Sequence, residues 1–339
     1  MSGLPADHRA FAEAALPLYG LAPSAALRLL SLSENATYLA DDGNSQMVLR
    51  VHRPGYHSLD AVRSELHWMS ALGAQSPVST PTPISAVDGS DVVEVTVDDR
   101  SLLVDAVTVV PGRTAEESPD MVDFATIGTV TAHLHDHSMS WSPPAGFTRF
   151  TWDVESILGP RARWGQWREA PGLSERDRAD IAAAAEVIAE RLQRFGTGPD
   201  RFGLVHADLR LANLMVDPGS DLPVVTVIDF DDCGWSWHLA DLGSALSFIE
   251  DSPEAEELIA DWLRGYTAVR PLPDEHRAMI PTFVLLRRIQ LTAWVASHAD
   301  SDAARELGED FASGTAALAR NYLGDPHWLR GAVDRSSAA

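Results

Sequence analysis

Two apolar runs that deliver polar residues to a single point constrain this chain more than any other feature. Leu204-Val205 leads into His206-Ala207-Asp208, and Leu214-Met215-Val216 resumes extended chain directly after Asn213. Further on, Val224-Val225-Thr226-Val227-Ile228 reads as a buried strand ending in Asp229. The link Asp217-Pro218-Gly219-Ser220-Asp221 is rich in turn formers, so the two runs are predicted to form a hairpin. Such a hairpin brings Asp208, Asn213 and Asp229 together at one end. Two carboxylates and an amide oxygen suit a hard cation such as Mg2+, with a base for a hydroxyl alongside. One acid at a strand end is common in any protein; this ordered set is not.

Composition narrows the class. A chain of 339 residues with 45% hydrophobic content can hold two modest domains with real cores. Its single cysteine, Cys233, excludes an internal disulfide and reads as a small buried residue in a reducing compartment. Residues Met1 to His8 carry neither a basic nor an apolar signal region, and the apolar stretch Ile280 to Ala296 is interrupted by Arg287, Arg288 and Gln290. The expectation is a cytoplasmic protein that does not span a membrane. A formal charge of −23 argues against nucleic acid as the main partner, because phosphates need a basic track. It is compatible with a cationic ligand, although a generally acidic surface explains it as well.

The pattern His206-x-Asp208-x-x-x-x-Asn213, followed by Ile228-Asp229-Phe230, resembles the catalytic and metal-binding segments of the kinase fold. In the form His-Ala-Asp-Leu and Ile-Asp-Phe-Asp-Asp it is similar to the aminoglycoside phosphotransferase/choline kinase branch, which includes homoserine kinase and the stress-response kinase A group. Protein kinases proper usually carry Arg after the His and Gly after the Phe, where this chain has Ala207 and Asp231. The resemblance implies an α+β, bilobal protein-kinase-like fold, with an N-terminal antiparallel sheet lobe and a mainly helical C-terminal lobe. It also implies ATP and Mg2+ as cofactors. Asp208 would be the catalytic residue at the acceptor hydroxyl, and Asn213 and Asp229 the metal ligands. His206 would support the loop, and Asp241 would brace it from behind. Asp231 and Asp232 would either assist the metal or face the acceptor.

The chain upstream fits that reading. A leading helix is expected over Asp7 to Leu18, then strands Leu27 to Leu32, Ala36 to Ala40 and Met47 to His52, with Asp41-Asp42-Gly43-Asn44 as a hairpin turn. The corner Ser31 to Thr37 has no glycine, but Ser33-Glu34-Asn35 resembles the version in which Ser33 and Asn35 replace phosphate-covering glycines. Ser58 can cap a helix from Leu59 to about Leu72, with Leu59, Val62, Leu66 and Met69 on its apolar face. Glu65 lies close to that face. Arg50 on the strand beneath could pair with it, as the strand-lysine/helix-glutamate pair does in kinases, with Arg in place of the usual Lys.

Two more strands, Val92 to Val97 and Leu102 to Val107, precede a lobe boundary near Thr108. The domains are therefore expected as a nucleotide-binding lobe over 1–108, a catalytic and acceptor-binding lobe over 109–330, and a frayed tail over 331–339. Helices are expected over Met121 to His135, from Ser174 to Phe195 behind a capping box with Asp177, and around Ala255–Thr267, Ile280–His298 and Asp302–Leu323. His133 and His137 have a metal-like spacing, but the resemblance accounts for this helix end without a metal. Trp235-Ser236-Trp237-His238 is read as leading straight into a helix.

Three functions fit these residues. The first is an ATP-dependent kinase for a hydroxyl of a small molecule, such as an aminoglycoside, amino sugar or amino alcohol. The second is a protein Ser/Thr kinase of the stress-response type, against which stands the lack of room for an activation loop between Asp232 and Trp235. The third is a non-catalytic nucleotide-binding regulator, against which stands the full set of catalytic residue types. A cationic acceptor is favoured by the carboxylates Asp208, Asp229, Asp231 and Asp232; Arg161, Arg163 and Arg168 keep an anionic one open. The acceptor's identity, the choice between ATP and GTP, and the oligomeric state are not legible.

Overall fold

The strands expected on either side of the turn-rich link do form, and they are neighbours in one sheet. The computed structural model describes residues 7–32, 35–217, 219, 224–299, 301–308, 310–329 and 331–332. Ser33, much of the 217–221 link and the 333–339 part of the expected tail lie outside these residues. In chain order the first elements are α1 (His8–Ala15), β1 (Ala26–Leu32), β2 (Asn35–Asp41), β3 (Gln46–His52), α2 (Leu59–Gln75), β4 (Pro83–Ile84), β5 (Val92–Val97), β6 (Arg100–Val107) and β7 (Arg113–Thr114). There follow α3 (Phe124–Ser140), β8 (Phe150–Thr151), α4 (Val154–Leu158), α5 (Glu175–Phe195), β9 (Phe202–Val205), β10 (Leu214–Val216), β11 (Val225–Val227) and β12 (Gly234–Trp237). The chain ends in α6 (Ala240–Ala245), α7 (Ala255–Val269), α8 (Asp274–Arg277), α9 (Ile280–Ser297), α10 (Asp302–Leu307) and α11 (Asp310–Gly324). This is the expected α+β arrangement, an antiparallel sheet followed by a helical remainder.

The chain divides into two compact units. One comprises Met1–Arg113, Ser142–Arg149 and Met215–Asp231; the other comprises Thr114–Trp141, Phe150–Leu214 and Asp232–Ala339.

The first unit is built on a sheet of order β1-β2-β3-β6-β4, with β5 also paired to β6. The meander follows from alternation: β2 buries Ala36, Tyr38 and Ala40, and β3 buries Met47, Leu49 and Val51. These side chains pack with Phe11, Ala12 and Ala15 of α1 in one apolar core. Ser58 starts α2 as read, its hydroxyl oxygen accepting from the Ala61 amide at 3.2 Å. That helix buries Val62, Leu66, Trp68, Met69 and Leu72, each contributing about 1.5–3 kcal/mol on transfer from water. In the same unit Ser79 holds β11, accepting the Val227 amide at 2.9 Å through its carbonyl and meeting the Thr226 hydroxyl at 2.9 Å.

In the second unit α3 and α7 approach closely because each places a glycine at the crossing. A Cβ at Gly128 would lie 2.0 Å from the Trp262 carbonyl oxygen, and one at Gly265 would lie 1.8 Å from that of Ala125. Helix α3 starts at Phe124 rather than Met121, because the Asp123 side chain accepts from the Thr126 amide at 2.7 Å. The capping box of Ser174 and Asp177 opens α5 as read. Two features differ from expectation. Trp235 to Trp237 form strand β12, antiparallel to β9 and parallel to β8, before α6 begins. The helix expected over 302–323 is interrupted at Gly308, whose φ of +67° ends α10. Among the described residues no helix is long and apolar enough to cross a membrane.

Candidate active site

The pair expected between Arg50 and Glu65 is present, within a larger buried charge network of the first unit. Arg50 Nη1 donates to Glu65 Oε1 at 2.6 Å, and its Nε donates to Asp105 Oδ1 at 2.9 Å. The cross-strand register sets Arg50 directly opposite Asp105. All three side chains are buried. Burial opposes the Arg50 charge, but Asp105 and Glu65 outweigh it and hold the guanidinium well above its ordinary range. Asp105 is likewise held below its usual value against its own burial, first by Arg50 and then by His52. Arg50 Nη2 is buried and has no hydrogen-bond partner among the described residues.

Asn35 is also buried, its amide nitrogen donating to Asp231 Oδ1 at 3.0 Å. His57 Nε2 lies 3.1 Å from the same oxygen. Burial works against the Asp231 charge, yet His57, His52 and Asn35 hold its carboxyl below the usual range. Asp231 and Asp232 are both buried, and Asp231 belongs to this network. Arg149 spans α2 and the chain after Asp229, donating to the carbonyls of Ala61 at 2.9 Å and of Asp231, with Glu65 Oε2 at 3.6 Å. Asp229 itself adopts a left-handed backbone, φ +62°. Phe230 after it packs edge-on against Trp68 at 5.6 Å.

In the second unit, β9 delivers Val205 to a tightly held loop. Ala207 is left-handed, φ +65°, a conformation that costs a residue with a Cβ about 1–3 kcal/mol. Asp241, fully buried at the start of α6, offsets that cost. Its carboxylate accepts the backbone N–H groups of His206 at 3.1 Å and Ala207 at 2.7 Å, as expected of a brace behind the loop. Burial pushes its pKa up to about 6. His135 Nε2 sits 3.1 Å from it, and Ser244 Oγ donates to the Ala207 carbonyl at 2.9 Å.

The loop fixes Asp208 from several sides. Asn213 Nδ2 donates to the Asp208 carbonyl at 2.9 Å and to its Oδ2 at 2.8 Å. Arg210 Nε lies 3.5 Å from Oδ2. Arg287 Nη2 donates to Oδ1. The two residues expected to share the chemistry here, Asp208 and Asn213, are thus in direct contact, and the amide oxygen of Asn213 is left as its acceptor atom. Beside Ala207 a cavity of about 20 Å³ is lined in part by Trp152, Ser244, Phe283, Arg287 and Gln290.

Asp105, Arg149 and Arg287 were not anticipated. Two of them carry a signal in hindsight. Asp105 is a charge inside the apolar strand Leu102 to Val107, and Arg287-Arg288 is a doublet in a helix whose other residues from Ile280 to Ala293 are buried and uncharged. Among the described residues His133 and His137 belong to no metal-like cluster. Among the described residues only Asp200, Glu275 and His276 converge in that way, and Arg201 bonds both acids there at 2.8 Å.

A sequence model described as the phosphotransferase enzyme family matches residues 26–279. The solved structure of a microcompartment-associated aminopropanol kinase is similar, with 45% identity and a TM-score of 0.87 over 93% of this chain and 98% of that one. Amicoumacin kinase of Bacillus subtilis (strain 168) is 28% identical over 84% of this chain and 83% of its own. The structure of the amicoumacin kinase hAmiN in complex with AMP-PNP, Ca2+ and Ami shares the fold, with 22% identity and a TM-score of 0.73 over 94% of this chain and 93% of that one.

Proposed function

The chain belongs to the phosphotransferase enzyme family and is a small-molecule kinase; from that premise we propose that its acceptor is a short amino alcohol such as aminopropanol, phosphorylated on oxygen by ATP. The observation that carries the reading is the 45% identity to an aminopropanol kinase across 93% of the chain.

In this reading residues 1–108 bind nucleotide and 109–330 carry catalysis and acceptor binding. Arg50, oriented by Glu65 and Asp105, would donate to an ATP phosphate. Its buried Nη2, lacking a partner, is the kind of donor an anionic oxygen satisfies. Ser33 would cover the phosphates from the β1–β2 corner. Asn35 would shape that corner, its amide nitrogen being held by Asp231. Asn213 and Asp229 would hold Mg2+. An amide oxygen and a carboxylate fit a hard cation, and the bond from Asn213 Nδ2 to Asp208 is what leaves that amide oxygen for it. Bound there, the ion would neutralise phosphate charge. Asp208 would accept the hydroxyl proton as the acceptor oxygen bonds to the γ-phosphorus and the bond to ADP breaks.

The test is a panel of acceptors with coupled detection of ADP: amino alcohols, choline, homoserine, sugars, aminoglycosides and a generic protein. The reading expects the highest kcat/KM with a short amino alcohol. A best acceptor from another class would replace it.

A further inference from the structure

Arg287 is the most completely restrained side chain around Asp208. It lies in the middle of α9, with its side chain 3% exposed. Each nitrogen of the guanidinium has its own acceptor. Nη2 donates to Asp208 Oδ1, Nη1 to the Ala207 carbonyl at 3.2 Å, and Nε to Ser247 Oγ at 2.9 Å. Its carbon lies 5.0 Å from the Trp164 ring. Arg210, the other cation beside Asp208, is 3.5 Å from Oδ2 but half-buried and shared with Glu116 at 3.6 Å. Arg210 can swing away, whereas Arg287 cannot.

A fixed guanidinium against one carboxylate oxygen does more than steady it. An acceptor that carries both a hydroxyl and an ammonium offers two groups to Asp208, and a bare carboxylate prefers the ammonium. An ammonium seated there is unproductive, because it holds the hydroxyl away from the phosphate. The fixed positive charge of Arg287 repels the ammonium and leaves the uncharged hydroxyl free to approach.

We propose that Arg287 is a specificity-determining positioning residue, which keeps the ammonium of an amino alcohol off Asp208 so that only the hydroxyl is presented to it. This rests on the amino-alcohol reading above.

The experiment compares 1-amino-2-propanol with 1,2-propanediol, which lacks the ammonium, in the wild type, Arg287→Gln and Arg287→Lys. Unproductive binding lowers kcat and KM together. Arg287→Gln removes both the charge and the fork, so kcat should fall with both acceptors, with a further fall of about tenfold in both kcat and KM confined to the amine, while KM for the diol holds. Arg287→Lys keeps the charge without the fork, so it should lose kcat with both acceptors and keep the wild-type KM for the amine. If Arg287→Gln does not fold, as judged by thermal unfolding, Arg287→Met fills a similar volume and carries the same expectation. Equal changes for amine and diol, or a KM for the amine that stays or rises in the uncharged variant, would overturn the inference and leave the amino-alcohol reading standing. A wild type that does not prefer the amine to the diol would overturn both.

Discussion

Arg50 faces Asp105 directly across β3 and β6, and the guanidinium is bonded to that carboxylate as well as to Glu65. One cation is therefore fixed by two buried anions, which leaves Arg50 no freedom to rotate and gives a donor a defined direction. A lysine could satisfy one of these partners at a time.

Arg50→Ala strands two buried carboxylates, and removing one partner of such a group costs about 3–5 kcal/mol. Arg50→Lys is the cleaner probe of nucleotide binding. It should raise the KM for ATP while leaving that for the acceptor nearly unchanged, with Arg50→Ala more severe in both stability and ATP affinity. Unchanged ATP kinetics in both variants would remove Arg50 from the nucleotide site.

Asp208→Asn should keep the fold, because Arg287, Asn213 and the Asp241 brace also hold the loop. Turnover should drop by roughly 10²–10⁴, the usual worth of a positioned base. Circular dichroism, nucleotide binding and single-turnover rates separate the two effects.

Asp241 links folding to pH. Its pKa is raised by burial to about 6, against about 3.9 in an unfolded chain. The folded protein retains this proton between those values while the unfolded chain loses it. Stability from this group is thus full below about pH 4, falls as pH rises to about 6, and is level above, a change of about 3 kcal/mol. Relative to Asp241→Asn, which does not titrate, the wild type should lose that amount over the same window in urea unfolding. A flat difference would show that folding does not raise the pKa of Asp241.

Gly265→Ala forces a methyl group into the Ala125 carbonyl, 1.8 Å from the new Cβ. Helices α3 and α7 would have to separate, and overpacking of this kind costs about 1–3 kcal/mol or more. Thermal denaturation should show a lowered midpoint, whereas Gly43→Ala, which meets nothing within 4 Å, should show only the smaller cost of its left-handed backbone.

What could be read from the sequence depended on whether the determining contacts were local. Ser58 and Ser174 act on amides three residues ahead. Strands β2 and β3 are joined by a tight turn, so alternation alone fixes which residues are buried. Strands β10 and β11, close together in the chain, were legible as neighbours. Strand β12 was not: its partners, β9 and β8, come from elsewhere in the chain, and the alternation in Trp235-Ser236-Trp237 spans too few residues to mark a strand. The same holds for Arg287, 79 residues from Asp208, and for Arg149, 84 residues from Glu65 in the numbering of the chain. Motif spacing named Asp208 and Asn213, which bond each other; tertiary packing supplies Arg287, which holds Asp208 from α9.

What the enzyme makes tests the amino-alcohol kinase reading most directly. Phosphorus NMR of the wild type with ATP, Mg2+ and 1-amino-2-propanol should show a new phosphate monoester growing in step with ADP. The signal should be absent with Asp208→Asn, lost on chelation of the metal and restored by Mg2+. ATP turned over to ADP and free phosphate with no ester, or an ester formed equally well by Asp208→Asn, would contradict it.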